Sequence, residues 1–181
     1  MKITAGPLSG LLILEPNVFK DERGYFYEVF QAKRYAEMGM PPFVQDNFSH
    51  STRNIIRGLH FQKPHPQGKL VYVTQGHVFD VAVDIRKSSA TFGKWFGIHL
   101  SDENHIQLYI PPGFAHGFCT LSDEANFNYK CTEYYFPESE TGIAYNDKQL
   151  NIAWPVENPI LSDKDKKLPC LHECENDRLF A

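Results

Sequence analysis

Three short segments hold most of the side chains able to do chemistry. Arg57-Gly58-Leu59-His60-Phe61-Gln62 sets a guanidinium and an imidazole close together in apolar surroundings, and Lys69 follows on the next candidate strand. Pro111-Pro112-Gly113-Phe114-Ala115-His116-Gly117-Phe118 uses Pro and Gly to punctuate a turn that delivers a second imidazole, His116, to the start of a strand. Tyr129-Lys130-Cys131-Thr132-Glu133-Tyr134-Tyr135 adds phenols, and on a strand Tyr129, Cys131, Glu133 and Tyr135 share one face. An imidazole changes charge near neutral pH, so it moves protons or ligates metals, while Arg and Lys meet anions. Each also has a structural reading. A His between Leu and Phe is often a satisfied core residue, Tyr-rich strands are common for packing, and Arg23, Arg57 and Lys69 read singly as solvated charges.

The elements that must position these groups are strands. Turn signals recur at short, regular intervals, and 14 Phe, 9 Tyr and 2 Trp, 14% of the chain, favour strands over an all-helical bundle. Candidate strands are Leu11 to Glu15, Gly24 to Phe30, Phe43 to Ser49, Ile55 to Phe61, Leu70 to Gln75, Val78 to Ile85, Lys94 to Leu100, Gln107 to Ile110, Gly117 to Leu121 and Ala125 to Tyr135. About ten strands fit a barrel or sandwich. Two helices are expected, Lys33 to Met38 and one after Ser162, which would cap acids in the first turn; both would be peripheral. Alternation in Val78-Phe79-Asp80-Val81-Ala82-Val83-Asp84-Ile85 makes the Phe79, Val81, Val83, Ile85 face core. The Asp80, Ala82, Asp84 face reads either as solvent-exposed or, in a barrel, as lining a wet interior.

The spacing Pro111-x-Gly113-x-x-His116 resembles the second motif of the cupin superfamily, small barrels in which that His points inward. Many cupins hold a transition metal through an H-x-H pair. Here the pair reads His60-Phe61-Gln62, and Lys69 would repel a cation, so the expected ligand set is poor. Cys170, His172 and Cys174 form C-x-H-x-C, which could hold zinc but lacks a second ligand pair.

Composition narrows the classes further. With 42% hydrophobic and 22% charged residues, the 181-residue chain suits one globular domain spanning residues 1–181. A net charge of −4 gives no field for nucleic acid or anionic membrane, so an anionic ligand must meet a local basic cluster. The apolar run Leu11 to Leu14 stops at Glu15 and Pro16, too short for a span or signal core, and four scattered cysteines need no disulfide framework; a cytoplasmic protein with reduced thiols is expected. The tail Cys170 to Ala181 has no recognisable motif.

Taken in order, Asp21-Glu22-Arg23-Gly24-Tyr25-Phe26, Phe43-Val44-Gln45-Asp46-Asn47, Arg57 to Gln62, Phe79 to Arg86 and Gly113 to Phe118 resemble the dTDP-4-dehydrorhamnose 3,5-epimerases. Tyr129-Lys130, Tyr134-Tyr135 and Pro159-Ile160-Leu161-Ser162 extend the resemblance to about residue 168. It implies an all-β cupin-type double-stranded β-helix, a jelly-roll barrel with a few short peripheral helices, acting as a homodimer without metal or other cofactor. The implied reaction inverts C3 and C5 of dTDP-4-dehydro-6-deoxyglucose, with no nucleic-acid or membrane partner. The resemblance makes His60 the base, Tyr129 the acid, Asp165 the orienter of His60, and Lys69 the cation facing the enolate and depressing the phenol's pKa. Arg57 and His116 would support sugar and diphosphate. Arg23, Glu28, Gln45, Asp46 and Asn47 would complete the nucleotide site, partly from the neighbouring subunit, with Glu140 and Lys164 near the ligand and Tyr135 stacked on thymine. Asp80 would pair with Lys69. Rival readings are a monoepimerase or ketoisomerase, a metal-dependent cupin oxygenase and a non-catalytic sugar-nucleotide sensor.

Overall fold

A computed structural model describes residues 1–174 and 179–180. Its strands are β1 (Lys2–Ala5), β2 (Leu12–Glu15), β3 (Phe19–Asp21), β4 (Gly24–Phe26), β5 (Gln45–Thr52), β6 (Ile56–Gln62) and β7 (Lys69–Gln75). There follow β8 (His77–Asp84), β9 (Trp95–Ser101), β10 (Gln107–Ile110), β11 (Phe114–Thr120), β12 (Glu124–Cys131) and β13 (Glu140–Gly142). One sheet runs β1-β2-β10-β7-β12-β5 and faces a second of order β13-β6-β11-β8-β9, every pairing antiparallel. The two sheets enclose one interior, a cupin jelly roll, as the strand-rich sequence predicts.

Alternation explains the barrel. On β7, Val71 and Val73 point inward beside Leu108 and Ile110 of β10 and Phe127 of β12, meeting Val78, Ala82, Leu100, Phe114 and Phe118 of the other sheet. The opposite face of the five-stranded sheet is apolar too. Leu59, Phe61, Val81, Val83 and Ile85 are covered by Ile143, Leu150 and Leu171 from the chain's last third. Asp80 and Asp84, on the inward face, are fully buried, which corrects the exposed reading of that face and also the wet-interior one: they lie inside the barrel, but neither carboxylate reaches solvent and Ala82 between them packs in the apolar core. Asp84 accepts bonds from Arg86, Ser89 and Thr91, so its charge is compensated where it lies. Outside the six-stranded sheet, α1 (Ala32–Glu37) buries Tyr35 against Leu14, Leu70 and Tyr109.

Several expected boundaries move. The Gly24 to Phe30 strand is only β4, paired with a short β3 in a separate hairpin, because Gly24 turns the chain at φ +127°. The Ala125 to Tyr135 strand ends at Cys131, so Glu133 and Tyr135 leave the face they were expected to share with Tyr129. The helix expected after Ser162 is a single 3-10 turn, Asp165–Lys167. Part of the tail expectation, residues 175–178 and 181, lies outside the described residues. Among those described, no helix is long and apolar enough to cross a membrane.

Candidate active site

A β-bulge builds the first wall of the cavity. Strand β11 takes two steps from His116 to Phe118 while β6 takes three from His60 to Arg57. Regular alternation would put Arg57 and His60 on opposite faces; the extra residue at Gly58 brings both inward. Gly58 holds φ +118°, and a Cβ there would lie 2.6 Å from Gly117 Cα, so only glycine fits.

His60 Nε2 sits 2.6 Å from Asp165 Oδ1. Asp165 is placed by the 3-10 turn, where Ser162 Oγ accepts its backbone N–H at 3.1 Å. Burial opposes ionisation of Asp165, but the bonds from His60, the Gly58 N–H and the Ser162 side of the turn outweigh it and hold its carboxyl below the ordinary range. Beside His60 across the strand pair, His116 bonds Asp80 at 2.8 Å with both groups buried. Asp80 thus pairs with His116, not Lys69. Burial lowers the His116 pKa despite Asp80, so that imidazole is neutral at pH 7.

The facing wall comes from the six-stranded sheet. Register pairs Cys131 of β12 with Lys69 of β7, and the Lys69 ammonium lies 5.9 Å from the centre of the Tyr129 ring. Burial pulls Lys69 below the usual lysine range and pushes the Tyr129 phenol up to about 12, Arg57 opposing only in part. The expectation that a nearby cation depresses this phenol is therefore corrected: desolvation wins, and Tyr129 is a firmly protonated donor.

Arg57, His60, Lys69, His116, Tyr129, Glu140, Lys164 and Asp165 line one cavity of about 460 Å³. An adjoining space of about 310 Å³ shares His60, Lys69, Tyr129 and Glu140 and adds Gln45, Asn47 and Tyr135. There the Tyr135 hydroxyl donates to Glu140 at 2.8 Å, its N–H donates to Gln45 Oε1 at 2.9 Å, and Lys164 pairs with the same Glu140. Asp46 turns the other way and pairs with Lys130 at 2.7 Å. Arg23 and Glu28 are not in this chain's cavity: Arg23 pairs with Asp21 on the exposed β3–β4 hairpin, and Glu28 pairs with Arg34. Phe118 and Phe127 line the cavity as a stacked pair, ring centres 4.1 Å apart, and were missed. The signal for both was available, since each lies two residues along a strand from an inward group, His116 or Tyr129.

Imidazole with its carboxylate on one wall, and phenol with an ammonium on the other, define a cupin-fold protein equipped to remove and return protons beside a group that turns anionic. The family model for dTDP-4-dehydrorhamnose 3,5-epimerase matches residues 5–173. The chain belongs to that family. It is 57% identical over 168 residues to the dTDP-4-dehydrorhamnose 3,5-epimerase of Shigella flexneri, covering 91% of this chain and 93% of the relative. A crystal structure of dTDP-6-deoxy-D-glucose-3,5-epimerase from Legionella pneumophila in complex with dTDP-4-keto-L-rhamnose superposes with a TM-score of 0.96 at 53% identity, covering 99% and 97% of the two chains. A dTDP-4-dehydrorhamnose 3-epimerase of Streptomyces niveus is more distant, 37% identical over 179 residues, covering 97% of this chain and 86% of that one.

Proposed function

We propose that the chain, acting as one cupin domain, epimerises C3 and C5 of dTDP-4-dehydro-6-deoxyglucose to give dTDP-4-dehydrorhamnose. The observation that carries the reading is the placement of a carboxylate-bonded imidazole and a protonated phenol on opposite walls of one cavity. In the tautomer that donates Nε2–H to Asp165, the His60 Nδ1 lone pair takes the proton from the carbon beside the C4 ketone. Asp165 then stabilises the imidazolium. Electron density moves to the ketone oxygen, where the Lys69 ammonium meets the enolate. Tyr129 returns a proton from the other face, and inversion results because the proton leaves on one side and arrives on the other. Arg57 and His116 support the sugar and diphosphate, and the chain itself supplies every proton-transfer group, with no cofactor.

The nucleotide end is assigned to Gln45, Asn47, Tyr135, Glu140 and Lys164 in the adjoining space, with Tyr135 offering an aromatic face to thymine. Arg23, Glu28 and Asp46 complete it in a homodimer, by reaching a second copy. The β3–β4 hairpin supports this, since Phe19 is 64% and Phe26 69% exposed on it, more apolar surface than a free hairpin normally leaves in water. A cytoplasmic location belongs to the same proposal, resting on the nucleotide-sugar substrate and unbridged Cys119 and Cys131. Incubation with the substrate in D2O tests the reaction. Label at both C3 and C5 with formation of the rhamno product is expected; label at one carbon alone would make the protein a monoepimerase, and none would remove the reading.

A further inference from the structure

On the side of the five-stranded sheet away from the cavity, Asp147, Cys170 and His172 bring a carboxylate oxygen, a thiol sulfur and an imidazole nitrogen within 4.8 Å of one another. We propose that these three residues form a site for a zinc-class divalent cation, fastening the segment that follows Asp165 to the segment that follows β13. The donor set selects the ion. Thiolate, imidazole and carboxylate together suit borderline-soft Zn2+, whereas Mg2+ and Ca2+ take oxygen alone.

Asp147 is prepared for such a role. It is 2% exposed, and its two oxygens accept the Leu150 N–H at 2.8 Å and the Leu171 N–H at 2.6 Å. Ligating carboxylates are held by outer hydrogen bonds of this kind, which leave one lone pair per oxygen for an ion. Cys170 opens the 3-10 turn Leu171–Glu173 and His172 lies on it, so two ligands share one rigid turn. The two segments already lie side by side, because Ala144 N–H donates to Pro169 O at 2.8 Å and Gly142 meets Leu168. A cation completes that clasp. Cys174, the third member of the C-x-H-x-C spacing, is replaced in the triad by Asp147; its sulfur lies 3.5 Å from the Cys170 carbonyl. A tetrahedral zinc shell spaces its donors roughly 3–4 Å apart, which the exposed His172 meets by a rotamer change, with water in the fourth position. The Cys170 thiol proton leaves to solvent as the ion binds.

The test uses the reduced, untagged full chain freed of metal by chelator and titrated with Co2+ and then Zn2+. One Co2+ per chain is expected, with a near-ultraviolet thiolate-to-metal band that Zn2+ displaces and that Cys170→Ser abolishes. His172→Ala, at an exposed position that burdens folding least, is expected to weaken Zn2+ binding at least tenfold. Zn2+ at about a hundredfold over its Kd raises the wild-type Tm by about 5 °C or more, and does not raise that of His172→Ala. The proposal is overturned if no Zn2+ binds below about 100 µM, or if affinity and band persist in both variants.

Discussion

His60 and Asp165 meet at 2.6 Å although 105 residues separate them, one on a central strand and the other on a 3-10 turn laid down after the last strand. His60→Ala removes the proposed base and is expected to lower kcat by about 10³-fold or more while dTDP binding changes little. Asp165→Asn keeps the shape but favours the wrong tautomer, with a loss of about 10²-fold or more. Turnover coupled to the downstream reductase, beside dTDP titration, checks both. Turnover by His60→Ala near the wild-type rate would sink the assignment.

Tyr129→Phe separates proton removal from proton return. The variant is expected to lose product formation, yet to exchange solvent deuterium into substrate at the carbon His60 reaches. Because burial raises the phenol to about 12, the wild-type profile carries no alkaline limb from Tyr129 below about pH 11.

Lys69 behaves oppositely. Its pKa is lowered by burial, so the ammonium is lost at lower pH than for an ordinary lysine, and kcat/KM falls on the alkaline side as it deprotonates. Lys69→Met is expected to cost about 10²–10³-fold in kcat, and its residual activity to lack that limb. A pH profile of both proteins decides it.

Mixed dimers test the proposed sharing of the site between subunits. Arg23→Ala and His60→Ala are each expected to be weak or inert, but refolding them together gives heterodimers in which the subunit with intact His60 receives an intact Arg23 from its neighbour. Recovered activity supports the exchange; a mixture no better than its parts places Arg23 outside the partner's site.

Away from the cavity, Asp84 is held down to about 2 from 3.8: burial alone would raise it, and the bonds from Arg86, Ser89 and Thr91 reverse the sign. A depressed acid stabilises the fold above its unfolded pKa and loses that contribution as pH falls from about 4 to about 2, an effect of about 2 kcal/mol. Asp84→Asn should therefore melt well below wild type at pH 7, with the gap narrowing in acid, as calorimetry across pH 2–7 would record.

Much of this was legible locally. The alternation from Val78 to Ile85 gives β8 and its faces, and Pro111 to His116 gives the turn and the inward imidazole. What was hidden depends on distant chain. Period alone cannot show that both faces of β8 are covered, because Ile143, Leu150 and Leu171 arrive from far along the sequence. Asp165 became visible as a partner of His60 only through the family resemblance. The pairing of Asp80 with His116 rather than Lys69 is a matter of sheet order, since β8 neighbours β11 and not β7. Tyr135 followed the alternation rule only on paper, as the strand stops four residues earlier at Cys131.

The bulge at Gly58 shows how the contents of a barrel are counted as well as chosen. Along a strand, inward and outward are odd and even, and one added residue reverses the parity of everything on one side of it. Here the reversal turns a guanidinium from the outer surface into the cavity without altering any side chain. Ligand recognition in such a barrel can change through length alone. A single residue inserted between Arg57 and His60, with the bulge kept, would leave both functional groups in the sequence and remove one from the site.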